Sequence, residues 1–307
     1  MAEQRTRRKR KKRLILQWIE LLLFRFVQGL LRVLPQSFVR LLGGALGRLL
    51  FTVARSRTRL ALDNLAASLP ELGSEERSRM IRECWERFTV ETLNYVRTIG
   101  APADVVAESS ILPDSTHLKA VLAQNRGVVL YTAHFGAWES AIAMVRLANM
   151  PFAVVARPLD NELLETLLTR SRGRFDVEMV PKRNAARTLM RRLSKGEGVL
   201  ILPDQAVHPR EGILVPFLGR PAWTTAAPAR LALRYGSPII GAFCYRRGGK
   251  VVAELTAPIF TADLEETAEN VEMLTRRIND EISNRIRQSP ELWLWMHDRW
   301  KRAGDSN

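Results

Sequence analysis

From residue 127 onward the chain alternates short apolar runs with longer stretches of helical periodicity. GVVLYTA (127–133) is a β-branched, apolar run that predicts a buried strand. His134 follows at its end, and Gly136 permits a tight turn. AWESAIAMVRLA (137–148) has helix formers at helical apolar spacing, which predicts the next helix and puts Glu139 near its first turn. The pattern repeats: strand 151–156, helix 161–172, strand 177–180, helix 184–196, strand 198–203, a loop, helix 224–236, then strands 238–245 and 251–258 around a turn. A helix over 264–288 and an aromatic segment, PELWLWMHDRW, close the chain. This βαβ series predicts an α/β fold with a largely parallel central sheet flanked by helices.

The first hundred residues read differently. Leu14–Leu34 is apolar over a length that suits a membrane, but Glu20, Arg25 and Arg32 interrupt it. On a helical wheel Gln17, Glu20, Arg25, Gln28 and Arg32 fall within an arc of about 140°. Trp18, Ile19, Leu22, Leu23, Phe26 and Leu30 lie mostly elsewhere. Such a helix either spans a bilayer or lies on it. Pro35 ends it, and a second apolar helix carries Gly43, Gly44 and Gly47, small residues that allow close helix packing. No small-residue cleavage site follows, so a cleaved leader is not expected. Residues 55–100 read as helices, and 101–126 as a mixed connection with a short helix near His117–Ala123. The division expected is 1–54 as basic tail and membrane-anchoring helices, and 55–307 as an α/β catalytic domain.

Charge sharpens this picture. The 307 residues carry a formal net charge of +15 and are 46% hydrophobic, which excludes a disordered chain. Residues 1–13 hold eight basic side chains and one acid, a solvated run next to an apolar helix, as expected where a helix meets anionic headgroups. A basic nucleic-acid binder would share the charge. It would not need the two long apolar helices, and no nucleic-acid module signature is present. A membrane-bound scaffold is a further alternative, with the His134–Glu139 pair purely structural. Cys84 and Cys244 form no CxxC pair and read as reduced structural thiols.

Candidate chemistry gathers at strand ends. His134 follows VVLYTA, Arg157 follows FAVVA, and Asp204 follows VLILP with Gln205 beside it. In open α/β sheets the carboxyl ends of parallel strands converge on the site. Glu139 is a candidate to orient His134 as a general base and to stabilise its cation. Arg172 falls in or just past the last turn of the helix after Arg157. No GxSxG is present, so a serine acyl-enzyme is not indicated. His208 and His297 have no metal-ligand spacing, so no metal is expected. Arg183, Arg187, Arg191, Arg192 and Lys195 form a basic helix that an acidic carrier protein could meet, although a solvated face explains them as well.

Several of these segments, in order, resemble the lipid A biosynthesis acyltransferases, the lauroyl and myristoyl transferases of Gram-negative bacteria. His134–Glu139 is similar to their HX4D/E motif, and Arg157–Asn161 to their RPxxN segment. Arg172 sits where the family has a functional arginine. Pro203-Asp204-Gln205 is similar to their PDQ segment. RLALDNLAASLPE (59–71), GILVPFLGRPAWTT (212–225) and PELWLWMHDRWK (290–301) also resemble family stretches. Departures are Leu69, Ala137, Leu292 and Asp298. The resemblance implies a membrane-associated O-acyltransferase at the cytosolic face of the inner membrane. It implies an acyl-acyl carrier protein or acyl-CoA donor, a glycolipid acceptor that is a lipid A precursor or, as the alternative, another glycolipid such as a phosphatidylinositol mannoside, no other cofactor and no nucleic acid. His134 and Glu139 would be catalytic, with Arg157, Arg172 and Asp204 binding substrate.

Overall fold

The computed structural model describes residues 2–140, 142, 145 and 148–303, with side chains from Arg13 onward and Asn184 excepted. Its helices are α1 (Ala2–Val33), α2 (Gln36–Val53), α3 (Arg55–Ser68), α4 (Ser74–Thr98), α5 (Ala103–Glu108), α6 (Thr116–Leu122), α7 (Glu162–Gly173), α8 (Ala185–Ser194), α9 (Ala227–Tyr235) and α10 (Ala268–Gln288). The strands are β1 (Ser110–Ile111), β2 (Val128–Tyr131), β3 (Phe152–Ala156), β4 (Val177–Pro181), β5 (Gly198–Ile201), β6 (Gly212–Phe217), β7 (Arg220–Thr225), β8 (Ile239–Arg247) and β9 (Lys250–Leu255).

Seven strands make one sheet in the order β1-β9-β8-β2-β5-β3-β4. Every pairing is parallel except β8 with β9. The α/β expectation therefore holds. The strands alternate between two buried faces: Val129, Tyr131, Val199 and Ile201 join the main core, while Leu200, Val154 and Phe152 join a second cluster. Burial on both faces accounts for the continuous apolar runs in the sequence.

The chain leaving β2 goes on to β3, beyond β5; the chain leaving β5 goes on to β8, beyond β2. The two connections thus depart in opposite directions from adjacent strands. That is the switch point at which open α/β sheets form a crevice. Parallel pairing is in strict register there, Val128 with Gly198 through Tyr131 with Ile201.

Four local expectations change. The segment 212–225, read as a loop running into a helix, is instead the antiparallel hairpin β6–β7. It is tied to α10 by Asn279, whose amide donates to the Pro216 carbonyl and Thr224 Oγ1. The connection 101–126 gains the edge strand β1 against β9. The helix expected over 137–148 starts as a 3₁₀ turn, Trp138–Ser140. Ile142 and Val145 are helical, and Ala141, Ala143, Met144, Arg146 and Leu147 lie outside the described residues. Finally, α1 starts at Ala2, so the basic run belongs to the helix backbone.

Helix α1 is docked by its polar side. Gln17 and Gln28 are buried; Gln28 donates to the Val96 and Ile99 carbonyls at the end of α4. Asn161 caps α7 through Oδ1, and its amide reaches the Gln17 carbonyl and Glu20 Oε2. The apolar side faces out: Trp18, Ile19, Leu22, Leu23, Phe26 and Leu30 are all exposed. This inverts the soluble amphipathic helix. Helix α10 shows the usual sense, burying Val271, Leu274, Ile278, Ile282 and Ile286. Helix α2 crosses α4 at Gly47, where a Cβ would lie 2.4 Å from the Glu86 Cα, so only glycine allows this approach.

Candidate active site

His134 and Asp204 stand side by side because β2 and β5 are in register. Each comes three residues after the last paired position, Tyr131 or Ile201. His134 Nδ1 lies 2.9 Å from Asp204 Oδ1, and the His134 backbone N–H donates to Oδ2 at 2.9 Å. Trp293 Nε1 also donates to Oδ2 at 2.9 Å. Asp204 is 1% exposed. An isolated carboxylate at such depth would be costly, and these donors offset the lost hydration.

Both pKa values are displaced in the direction this geometry requires. Burial pushes Asp204 up, but the His134 charge and the three hydrogen bonds outweigh it and hold the acid below its ordinary value. Burial pushes His134 down, but the charge and hydrogen bond of Asp204, with the charge of Glu139, hold the ring above its ordinary value. An ionised carboxylate only accepts, so Nδ1 carries the proton and Nε2 presents its lone pair. That lone pair faces the Gln205 amide nitrogen at 3.2 Å.

Glu139 was expected to be the acid at the His134 ring; in the structure that contact belongs to Asp204. Gly136 has φ +56, and a Cβ there would meet the Cys244 carbonyl oxygen at 2.4 Å. The 3₁₀ turn after it sends Glu139 away from the ring to Arg172, whose Nη2 donates to Oε2 at 2.8 Å. Glu139 reaches His134 only through its charge. Arg172 also has the Tyr95 ring 5.9 Å from its guanidinium carbon. Arg157 makes no contact with these groups: its side chain is 87% exposed and lies 3.6 Å from Asp160.

His134, Glu139, Arg157, Arg172 and Gln205 all line one cavity of about 860 Å³. Its interior is apolar, with Val154, Met179, Leu189, Met190 and Leu231 among the wall residues, and Lys182, Arg230 and Arg234 supply further cations. Asp204 is not on the wall; it stands behind His134. Trp138 lies against the ring, centroids 5.6 Å apart, and stacks on Phe88 at 6.0 Å.

The C-terminal segment completes the site, which sequence reasoning missed. Leu294 N donates to the His134 carbonyl, and Gly136 N donates to the Leu292 carbonyl. These bonds clamp the loop on both sides of the histidine and bring Trp293 onto Asp204. Arg299, 1% exposed, holds the Trp223 carbonyl and Thr224 Oγ1; burial lowers its pKa to about 10, with the charge of Asp204 opposing that fall. The signal available in the sequence was the density of tryptophan in PELWLWMHDRW. Indole N–H groups seldom stay buried without an acceptor.

A histidine backed by a buried acid thus turns its second nitrogen, with Gln205 against it, toward a largely apolar cavity. The chain belongs to the bacterial lipid A biosynthesis acyltransferase family, whose model matches residues 5–302. It is similar to the lipid A biosynthesis lauroyltransferase of Escherichia coli K12, 27% identical over 271 residues, covering 87% of each chain. The palmitoleoyltransferase of the same organism is 27% identical over 269 residues, covering 87% of this chain and 86% of that one. The phosphatidylinositol mannoside acyltransferase of Mycolicibacterium smegmatis is 25% identical over 219 residues, covering 70% and 67%.

Proposed function

We propose that this acyltransferase moves a fatty acyl chain from a carrier thioester to a hydroxyl of a glycolipid, a lipid A precursor first among the acceptors. The observation that carries the reading is the Asp204-backed His134, its Nε2 open to an apolar cavity. The acceptor hydroxyl displaces the Gln205 amide from Nε2. His134 takes its proton as the oxygen attacks the thioester carbonyl. The tetrahedral intermediate then expels the thiolate, and the imidazolium returns the proton to that sulfur. Acyl–oxygen bond formation and carbon–sulfur bond cleavage balance with no further reagent. Asp204 holds the tautomer and stabilises the cation. The acyl chain fits the apolar wall, and Arg172, held by Glu139, offers its guanidinium to a substrate oxygen. Arg230 and Arg234, with Lys182 already paired to Glu211, suit an acidic donor such as acyl carrier protein, and the chemistry calls for no other cofactor.

The reading also places α1 on a membrane. Arg13–Val33 is long and apolar enough to cross one. Yet from Gln17 to Arg32 it is bonded along the polar α4–α7 side of the domain, which a crossing helix would drag into lipid. An interfacial helix on the cytosolic face satisfies both the docked polar side and the open apolar side. Each exposed Leu, Phe or Trp that enters lipid contributes on the order of 1 kcal/mol. Leu22→Ser/Phe26→Ser/Leu30→Ser removes this stripe at exposed positions and leaves α2 packed on α4, and the variant is expected to lose salt-resistant membrane binding; full retention on membranes would move the anchor elsewhere.

The deciding experiment incubates purified protein with acyl-carrier thioesters and phosphorylated or mannosylated glycolipids and reads product masses. A mass gain of one acyl group, lost in His134→Ala, supports the reading. Thioester hydrolysis without acceptor acylation would overturn it. Acylation of the mannoside alone would select the acceptor class of the mycobacterial relative.

A further inference from the structure

A second cavity, of about 370 Å³, lies between α1, the end of α4 and α7, away from His134. Four arginines line it: Arg25, Arg32, Arg170 and Arg174. None of the four forms an ion pair among the described residues. Three of the four guanidinium groups are instead fixed by neutral acceptors. Arg32 Nη2 donates to the Ile99 carbonyl at 2.6 Å and Nε to the Arg97 carbonyl at 3.3 Å. Arg174 donates from Nε to the Ser171 carbonyl and from Nη2 to Ser171 Oγ. Arg25 Nη1 donates to Gln28 Oε1, and buried Gln28 is itself anchored on α4. The fold therefore orients three cations and leaves their charge uncompensated. Burial depresses the pKa of Arg174, and the charge of Arg32 adds to that fall.

Such a site is built for an anion with several acceptor oxygens. Guanidinium groups match phosphate bidentately and keep their charge at any physiological pH. The remaining wall names the phosphate's carrier. Leu21, Leu163 and Leu167 give the cavity an apolar side. On α1, Leu22, Phe26 and Leu30 extend the apolar surface outward next to Arg25. A free phosphate would use the arginines and leave the leucines idle.

We propose that the Arg25–Arg32–Arg170–Arg174 cavity binds a lipid-borne phosphate at a site separate from the His134 cavity. The proposal rests on the interfacial placement of α1 and deepens it. Two sources share this chemistry, the headgroup of an anionic phospholipid and a phosphate on the acceptor.

The test is calorimetry on the full chain in nonionic detergent. The probes are dihexanoyl phosphatidic acid, dihexanoyl phosphatidylcholine and inorganic phosphate. One equivalent of dihexanoyl phosphatidic acid should bind saturably, at least tenfold tighter than either other probe. Arg25→Gln/Arg170→Gln, at two exposed positions, should weaken it tenfold or more, whereas Lys9→Gln/Lys11→Gln in the basic run should leave it unchanged. Arg32→Lys/Arg174→Lys keeps the charge and loses the forks, and should fall between. Unchanged affinity in Arg25→Gln/Arg170→Gln, or equal affinity for inorganic phosphate, would overturn the proposal. Two readouts on the same arginine variant separate the sources. A raised KM for a phosphorylated acceptor at unchanged kcat marks the acceptor phosphate. Weaker sedimentation with phosphatidylglycerol vesicles at unchanged KM marks the headgroup. Loss of binding to neutral phosphatidylcholine vesicles by the wild-type chain, with lipid phosphate still bound in detergent, would count against interfacial α1 alone.

Discussion

Asp204 and Glu139 are two acids beside one histidine, and they live in different surroundings. Asp204 is sealed behind the imidazole and receives three N–H groups, two from His134 and one from Trp293. Glu139 stands on the cavity wall with a side chain 32% exposed, bonded to the guanidinium of Arg172. The first is placed by sheet register, the second by a short turn after Gly136. A deep acid hydrogen-bonded to the ring and to no arginine favours the charged imidazole directly; a half-buried acid paired with arginine acts on it only at a distance. Proximity in sequence favours Glu139 as the partner, and the sheet decides for Asp204.

The largest effect should come from the histidine. His134→Ala removes the proton acceptor and should lower turnover by roughly 10²–10⁴-fold. A folded His134→Ala enzyme with wild-type turnover would remove the base and leave both acids without a role. Asp204→Asn should come next, at about 10²–10³-fold, because the amide keeps the volume but loses the charge that stabilises the imidazolium. It should also move the rising limb of the kcat/KM–pH profile to lower pH, since Asp204 holds the ring above its ordinary value. His134→Ala/Asp204→Asn should be no slower than His134→Ala, as both serve one proton transfer. Additive losses would detach Asp204 from the ring.

Glu139→Gln should cost about tenfold, and the coupling should run to Arg172 rather than to His134. Arg172→Ala should cost more than Arg172→Lys, because an ammonium only partly replaces the planar fork. Glu139→Gln/Arg172→Ala should then equal Arg172→Ala. If Glu139→Gln moved the pH limb as far as Asp204→Asn does, the distinction between the two acids would collapse.

Much of this was legible in the chain. Apolar runs at 128–131, 152–156 and 198–201, each closing on a polar residue, mark strands whose carboxyl ends face one crevice. Aligning GVVLYTAH with EGVLILPD even sets His134 opposite Asp204, provided the two strands are neighbours. Adjacency is what the sequence withholds: strand order depends on which crossovers pack, a long-range outcome that local periodicity does not encode. Glu139 meets Arg172 rather than the ring for a related reason. Helical continuation past Trp138 was expected, while Gly136 at positive φ and the Cys244 carbonyl beside it redirect the chain. The role of Trp293 was hidden because a tryptophan in a C-terminal segment reads first as packing. The polar arc of α1 was visible at once, but not that it would face the protein and leave the apolar side outward.

The smallest effect is expected at Gln205, and its sign is informative. The amide nitrogen 3.2 Å from His134 Nε2 donates to the lone pair of the neutral ring. A hydrogen bond to the neutral form favours that form. Gln205→Ala removes it, so the His134 pKa in the free enzyme should rise, and the limb of kcat/KM should move to higher pH, opposite to Asp204→Asn. Turnover at a pH above both limbs should change by no more than a few-fold, because the acceptor hydroxyl takes the amide's place before the proton moves. Gln205→Glu is the stronger version: a carboxylate at that position favours the cation, and the limb should shift further upward. The comparison of acids then has a third point, since an introduced charge at Nε2 should oppose catalysis while the native charge at Nδ1 supports it. A limb that moves downward in Gln205→Ala would mean that Nε2, not Nδ1, carries the proton, and the base assignment would have to be inverted.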